Sequence, residues 1–209
     1  RLSLEWTNFF SDQLEFSLIP YLRYNSNDYI ATWRSYTPRS ETSVTTFGAL
    51  LKGTFSHDSG SETLFGLDME QSESEMLTYQ PLDVTVTSWS GTTNYVKGFK
   101  YRDQSITYRN LSPYVQHNLF ATERLLLQAG LRFDYNNYEL DNNLAQIDDD
   151  GFGNRQLADR DDSFSSLNPK LGFNYKYDDQ HSVYGRLAQA NRLPTASTLY
   201  NLKSGDSGS

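Results

Sequence analysis

The connections between the strands predicted from this sequence alternate strictly between short and long. Eight segments place apolar and polar side chains in alternation, which predicts β-strands. Short polar turns join these strands in pairs, and long polar stretches separate the pairs. The predicted strands are 2–9, 14–24, 42–55, 63–70, 106–119, 125–135, 164–177 and 182–190; the turns are 11–13, 57–62, 121–124 and 178–181; the long stretches are 26–41, 71–105 and 136–163.

This pattern favours strands that cross a membrane. Long loops without structure are uncommon in compact soluble domains, whereas outer-membrane barrels combine short periplasmic turns with long extracellular loops. Most of the predicted strands have about ten or more residues, which matches the ~9–11 needed to cross a bilayer at a tilt and exceeds the ~5–6 typical of soluble sheets. No run of about 18 apolar residues exists, so no transmembrane helix is expected. The predicted fold is an all-β, antiparallel transmembrane β-barrel segment.

Composition excludes several functional classes. The chain has no cysteine, and therefore no disulfide, thiolate metal site or cysteine nucleophile. Its formal net charge of -8 argues against a nucleic-acid partner, because phosphate binding needs clustered lysine and arginine. The 15 tyrosines suit a wall that is wet on one side and apolar on the other, since tyrosine anchors at membrane interfaces.

Several sequence stretches share their order and spacing with a known family. Residues 167–175 read L-N-P-K-L-G-F-N-Y, and a turn then leads to V-Y-G-R-L-A-Q-A-N-R-L-P at 183–194 and to Leu-Tyr at 199–200. Earlier in the chain, L-F-G-L-D stands at 64–68, S-P-Y-V-Q-H-N-L at 112–119 and L-Q-A-G-L-R-F-D-Y at 127–135. Over residues 63–200 the chain resembles the barrel of TonB-dependent outer-membrane receptors, and residues 1–62 resemble it only in strand periodicity.

The resemblance carries expectations about fold and function. It implies about eight central strands of a 22-stranded barrel at residues 1–203, a flexible, truncated loop at 204–209, and a plug domain that is absent from this chain. It also implies a receptor in the bacterial cell outer membrane that takes up a scarce nutrient, most commonly a ferric siderophore. The expected partners are outer-membrane lipid, the plug domain and, through the plug, the energy-coupling protein TonB. No cofactor is expected.

No catalytic arrangement is evident, and we expect no enzyme activity. The three histidines, His57, His117 and His181, lie in separate segments, and no pair has the sequence spacing of metal ligands. Asp148 and Asp150, just before a glycine, weakly resemble an oxygen-rich Ca²⁺ loop, although the distal glutamate is missing. The alternative for this acidic run is an ordinary solvated loop.

Candidate ligand-binding residues lie on the predicted lumen face and in the long loops. Arg23, Arg132 and Arg192 are expected near the loop side of the lumen, and guanidinium groups beside aromatic rings suit an anionic chelate. The aromatic candidates in the long loops are Tyr79, Trp89 and Tyr95. The alternative is that the arginines brace the plug or nearby lumen carboxylates such as Asp134.

Two other functions are open from the sequence. Eight strands are enough to close a small barrel, which would act as a structural or adhesion protein. A soluble carbohydrate-binding β-domain is the third possibility, and it predicts a chain that folds without detergent.

Overall fold

The computed structural model describes residues 1–89, 91–144, 158–192, 194 and 199–200. In this part of the chain no helix has the length and apolar character needed to span a membrane. The strands are β1 (Leu2–Ser3), β2 (Trp6–Phe9), β3 (Leu14–Ile30), β4 (Arg39–Ser56), β5 (Glu62–Tyr79), β6 (Val84–Ser88), β7 (Gly91–Tyr95), β8 (Lys100–Thr122), β9 (Leu125–Asn142), β10 (Arg160–Lys176) and β11 (Ser182–Ala188).

Nine strands form one antiparallel sheet that follows the order of the chain. β1 and β2 both pair with β3, with Leu2 opposite Leu22 and Trp6 opposite Leu18, so they occupy one strand position with a short interruption. The order then runs β3, β4, β5, β8, β9, β10, β11, while β6 and β7 form a separate two-stranded hairpin. The sheet therefore has eight strand positions, and the predicted strands and their antiparallel order are confirmed.

The eight positions do not close on themselves. β11 pairs with β10 and β1 pairs with β3, and the described residues contain no pairing between β11 and β1 or β2. A small closed barrel of eight strands would need that pairing, because an open edge leaves backbone groups unsatisfied in lipid. The arrangement therefore does not support the small-barrel alternative.

The two faces of the sheet differ sharply in chemistry. Val115, Leu131 and Pro169 lie side by side on neighbouring strands, and they belong to an outer face whose large apolar side chains are exposed. Polar residues such as Thr46 and Ser112 lie on the opposite face and are fully buried beneath longer side chains. An exposed apolar surface of this extent suits hydrocarbon and does not suit water. We name the apolar side the outer face and the polar side the lumen face.

The strands are longer than the sequence pattern predicts. The predicted second, fourth and sixth strands end at Tyr24, Glu70 and Tyr135, whereas β3, β5 and β9 continue to Ile30, Tyr79 and Asn142. The predicted boundaries are wrong because most of the added residues are polar, so the apolar alternation stops while the hydrogen-bonded ladder continues.

The alternation of connections remains in the structure. The long connections now span 31–38, 80–99 and 143–159, of which 145–157 lie outside the described residues, and the short turns lie at 10–13, 57–61, 123–124 and 177–181. We call the two ends of the sheet the long-loop end and the short-turn end. In outer-membrane barrels these ends face the cell exterior and the periplasm, respectively.

A carboxylate organises the turn between β10 and β11. Asp178 Oδ1 accepts hydrogen bonds from the backbone amides of Gln180 (2.9 Å) and His181 (2.8 Å), and Oδ1 also lies 2.8 Å from His181 Nδ1. The backbone hydrogen bond from Gln180 and the side chain of His181 hold the pKa of the Asp178 carboxyl below its usual range. The ionised carboxylate therefore stabilises this turn.

Acidification is expected to loosen the turn. The pKa of Asp178 is depressed in the folded chain, so its contribution is present above the ordinary carboxyl pKa of about 3.9 and is lost as the pH falls through the lower folded value. Amide hydrogen exchange at Gln180 and His181, corrected for the intrinsic effect of pH, should lose protection at acid pH. Asp178→Asn should remove this pH dependence. Equal pH dependence in both proteins would contradict the assignment.

Candidate functional site

Arg132 of β9 is the centre of an ion-pair group on the lumen face. Its Nη1 lies 2.5 Å from Oδ2 of Asp68 on β5, and its Nε lies 2.7 Å from Oδ1 of Asp134 on the same strand. Asn168 of β10 donates a hydrogen bond of 2.6 Å to Asp134, and the guanidinium carbon lies 6.0 Å from the Tyr114 ring centroid. Four neighbouring strands thus meet at one cation.

Arg23 of β3 joins a second group beside the first. Its Nη2 lies 3.7 Å from Oε1 of Glu70, and the Tyr21 hydroxyl donates a 2.5 Å hydrogen bond to Oε2 of the same carboxylate. Thr46 and Ser72 exchange a buried hydrogen bond of 2.9 Å next to this pair. Arg23, Asp68, Glu70, Arg132 and Asp134 form what we call the lumen charge cluster. It contains two guanidinium groups and three carboxylates, so its net formal charge is negative.

Glycines allow tyrosine rings to lie flat across the lumen face. The ring of Tyr21 covers Gly48, and the ring of Tyr114 covers Gly66. A Cβ added at either glycine would overlap the tyrosine, and at Gly66 it would also overlap the carbonyl oxygen of Leu51. These positions therefore bring the two phenol groups close to the lumen charge cluster.

A buried glutamine connects two loops at the long-loop end. The amide nitrogen of Gln80, which is fully buried, donates to the carbonyl oxygens of Tyr36 (2.8 Å) and Leu82 (2.7 Å). Its Oε1 accepts a hydrogen bond of 3.0 Å from the Tyr101 hydroxyl. The Tyr36 ring stacks on the Tyr95 ring, with centroids 4.5 Å apart and an interplanar angle of 5°. These contacts hold the β6–β7 hairpin against loop 31–38.

Replacing Gln80 by alanine is expected to release this hairpin. The change removes the hydrogen bonds that Gln80 makes to three polar groups, at a cost of about 1–3 kcal/mol for each buried group that neither water nor another partner satisfies. Amide hydrogen exchange in β6 and β7 should rise, while exchange in β9 should not change. Gln71→Ala, at an exposed glutamine, is the matched control. Unchanged exchange in the Gln80 variant would show that the hairpin is held by other contacts.

Two residues that follow β11 in the chain, Pro194 and Tyr200, contact the lumen face of the sheet. Ile106, Tyr138, Leu140 and Tyr200 are all buried in one cluster. The Tyr200 hydroxyl donates to Asp162 Oδ2 (3.1 Å), and burial, followed by the nearby Asp162 charge, raises the pKa of Tyr200. The Tyr138 hydroxyl donates to the carbonyl oxygen of Pro194 (3.1 Å). Pro194 and Tyr200 thus lie over an apolar patch of the lumen face.

The predicted ligand-binding residues do not form one site. Arg23 and Arg132 lie on the lumen face in the same cluster, whereas Arg192 is exposed after β11. The aromatic candidates lie at the long-loop end. Tyr79 donates a 3.0 Å hydrogen bond to Glu41, Tyr95 packs on Tyr36, and Trp89, at the end of the β6–β7 hairpin, is 99 % exposed. Asp148, Asp150 and residues 204–209 lie outside the described residues.

Some partners in these clusters were missed by the sequence pattern. Asp68 and Glu70 alternate with apolar residues in the fourth predicted strand, so their lumen orientation was predictable, but their pairing with Arg132 and Arg23 depends on strand register. Gln80 has no signal in the sequence, because it lies in the stretch 71–105, for which the pattern predicts one long loop. Across the described ranges, no group of three or more His, Cys, Asp or Glu side chains is placed to hold a metal ion.

Comparison with known proteins identifies the family. The family model described as "TonB dependent receptor-like, beta-barrel" matches residues 1–208, and no curated protein matches the chain. Among solved structures, a protein described as the copper transporter OprC has 18 % identity and a TM-score of 0.74, over 99 % of this chain and 32 % of that one. The siderophore receptor PiuA from Acinetobacter baumannii has 16 % identity and a TM-score of 0.64, over 89 % and 31 %.

The chain thus spans about a third of the length of these two solved structures. At these identities the structural likeness shows the fold alone, and the family model shows the relationship. The apolar outer face, the lengths of the strands and the order of the sheet agree with it. The chain belongs to the TonB-dependent receptor β-barrel family, whose members lie in the bacterial outer membrane.

Proposed function

We propose that the protein takes up a small ligand across the outer membrane and that this cargo is a ferric siderophore. The observation that supports this is the lumen face, which carries a charge cluster below loop 31–38 and the β6–β7 hairpin at the long-loop end. The two solved structures are described as a copper transporter and a siderophore receptor, which supports a cargo that is a metal or a metal chelate. Membership of a receptor family supports transport and gives no support to catalysis.

The energy for uptake is proposed to come from TonB through a plug domain, as the family relationship implies. A polar lumen face suits this arrangement, because a plug needs hydrogen-bonding groups along the wall. The lumen charge cluster provides both signs of charge for such contacts, with Arg23 and Glu70 side chains still partly exposed. Arg132 is committed to two carboxylates, which favours a bracing role for this arginine.

Ligand contact is proposed to begin at the long-loop end. Trp89 and Tyr79 offer aromatic surface there, and the Trp89 side chain is already exposed to solvent. Tyr95 contributes by holding the hairpin that carries Trp89. Arg23 and Arg192 are proposed to attract an anionic chelate, with Arg23 exchanging its 3.7 Å ion pair to Glu70 for the ligand.

Uptake of radiolabelled iron tests this proposal directly. A strain without the receptor gene, complemented with the full-length protein, should take up one class of ferric chelate (catecholate, hydroxamate or carboxylate) that the deletion strain does not. Uptake should stop when TonB is deleted. If the protein inserts normally but restores uptake of no ferric chelate, the siderophore assignment is wrong. If it restores copper uptake instead, the cargo is the metal ion and not a chelate.

The ligand-binding role of Trp89 is tested with the same chelate. Trp89→Ala should weaken binding, measured by quenching of tryptophan fluorescence, by about tenfold, the effect of losing roughly 1.4 kcal/mol of aromatic contact. Trp33→Ala is the matched control, since Trp33 lies in loop 31–38 and is also exposed. Equal binding by both variants and the unaltered protein would place the ligand elsewhere.

A further inference from the structure

Two histidines far apart in the sequence meet on the outer face at the short-turn end. Nε2 of His57 lies 2.8 Å from the Thr63 hydroxyl oxygen, and Nδ1 of His117 lies 2.9 Å from the same oxygen. Their rings are nearly perpendicular, with centroids 5.4 Å apart. Two imidazole nitrogens therefore point at one small atom from different directions. In the sequence the two residues are separated by β5, the β6–β7 hairpin and most of β8, so periodicity does not predict this arrangement.

Backbone pairing positions both residues, and side-chain contacts restrict their rings. Thr63 and His117 are direct partners in the β5–β8 ladder. His57 opens the turn 57–61, where its amide donates to Ser61 O (2.8 Å) and its carbonyl accepts from Gly60 N (2.9 Å). The His57 ring also packs edge-on against Phe55, with centroids 4.8 Å apart. Little conformational entropy is left to lose if a ligand binds between the two histidines.

We propose that His57 and His117 form a binding site for a divalent transition-metal ion, with Cu²⁺ or Zn²⁺ as the best fit. Neutral imidazole is the commonest protein ligand for these ions, at a metal–nitrogen distance of about 2.0–2.1 Å. Two nitrogens that share one ion are therefore at most roughly 4 Å apart, which is compatible with two nitrogens that already share one hydroxyl oxygen. The ion takes the position between the rings, and Thr63 and water complete its coordination.

The site is separate from the lumen. His117 lies on the same face of β8 as the exposed Val115 and Leu119, and His57 lies in a short turn. The ion would reach it from the periplasmic side of the membrane and would fasten turn 57–61 to β8 across β5. This inference does not depend on the transported ligand, and failure of the siderophore assignment would leave it unchanged.

Copper titration of the full-length protein tests the site. The protein is purified in detergent without a polyhistidine tag and stripped of metal, and Cu²⁺ is chosen because it binds imidazole most tightly among the common divalent ions. Electron paramagnetic resonance should show one Cu²⁺ with couplings to two nitrogens. His57→Ala and His117→Ala should each weaken binding by about tenfold or more, because a chelating pair becomes a single ligand.

Controls separate the site from unspecific binding. His181→Ala, at the exposed histidine of another turn, should leave the signal unchanged. Thr63→Ala should keep both nitrogen couplings, and its Cu²⁺ affinity should stay within a few-fold of that of the unaltered protein. If only the hydrogen bonds to Thr63 held the two rings together, this variant would lose the couplings. His57→Gln and His117→Gln serve if an alanine variant fails to fold. Unchanged Cu²⁺ affinity in both His57 and His117 variants, or an equal loss in the His181 variant, would overturn the proposal.

Discussion

An arginine in place of Leu131 is expected to destabilise the folded chain in a lipid bilayer by about 2–4 kcal/mol, the cost of a charged side chain near the middle of the lipid-facing surface of a barrel. Leu131 lies near the centre of the apolar row of β9, between Val115 of β8 and Pro169 of β10. Its side chain is 43 % exposed in the structure, and in the membrane that exposed part is in contact with hydrocarbon. The measurement is denaturant-induced unfolding of the full-length protein in lipid vesicles.

Gln128→Arg is the matched control for this substitution. Gln128 lies three residues away on β9 but on the lumen face, where its side chain donates a 3.3 Å hydrogen bond to Asn118. An arginine there can extend into the aqueous lumen, so the expected loss is at most about 1 kcal/mol. If both arginines cost the same, the assignment of the two faces is wrong, and the membrane assignment of this part of the sheet is wrong with it.

Gly66→Ala is expected to give the second large effect. The new Cβ would overlap both the Leu51 carbonyl oxygen and the Tyr114 hydroxyl group. The phenol can move, but the carbonyl belongs to the β4–β5 ladder, where Lys52 and Gly66 are partners. Relief requires a local shift of two strands, so we expect a loss of about 1–3 kcal/mol, as for other overpacked positions.

The neighbouring lumen glycine Gly130 provides the comparison. A Cβ at Gly130 would lie 3.4 Å from the Val115 carbonyl oxygen, which is ordinary contact. Gly130→Ala should therefore be neutral or stabilise the strand by about 0.5–1 kcal/mol, because alanine has less conformational freedom to lose than glycine. Equal stability of the two variants, measured by unfolding in vesicles, would show that Tyr114 does not lie across Gly66.

The sequence predicts the part of the fold that lies in the hydrocarbon core of the bilayer. Within the bilayer every second side chain must be apolar, so the faces of β3, β8 and β9 could be assigned residue by residue. Beyond the bilayer both faces are in water, and residues such as Glu73 and Glu75 carry no periodic signal although they lie within β5. The sequence pattern therefore predicts loops at these strand ends. The β6–β7 hairpin was missed for the same reason, since it lies wholly within such a stretch.

The candidate site was predictable only in outline. Alternation alone places Arg23 and Arg132 on the lumen face, and the structure agrees. Their partners Glu70 and Asp68 come from β5, more than 40 positions away from either arginine in the chain, and the pairing depends on strand register. Register also brings His57 to His117. Single-sequence periodicity contains no information on which residues of distant strands lie opposite each other.

The extension of the strands past the apolar rows raises the loops well above the lipid headgroups. β5 has 18 residues and β8 has 23, while a crossing needs only about 9–11, so much of each strand forms a rigid collar in the external medium. Substitutions in this collar do not change the apolar surface that inserts into the lipid bilayer. A lineage could therefore alter which chelate it captures by changing collar residues, without putting assembly of the barrel at risk.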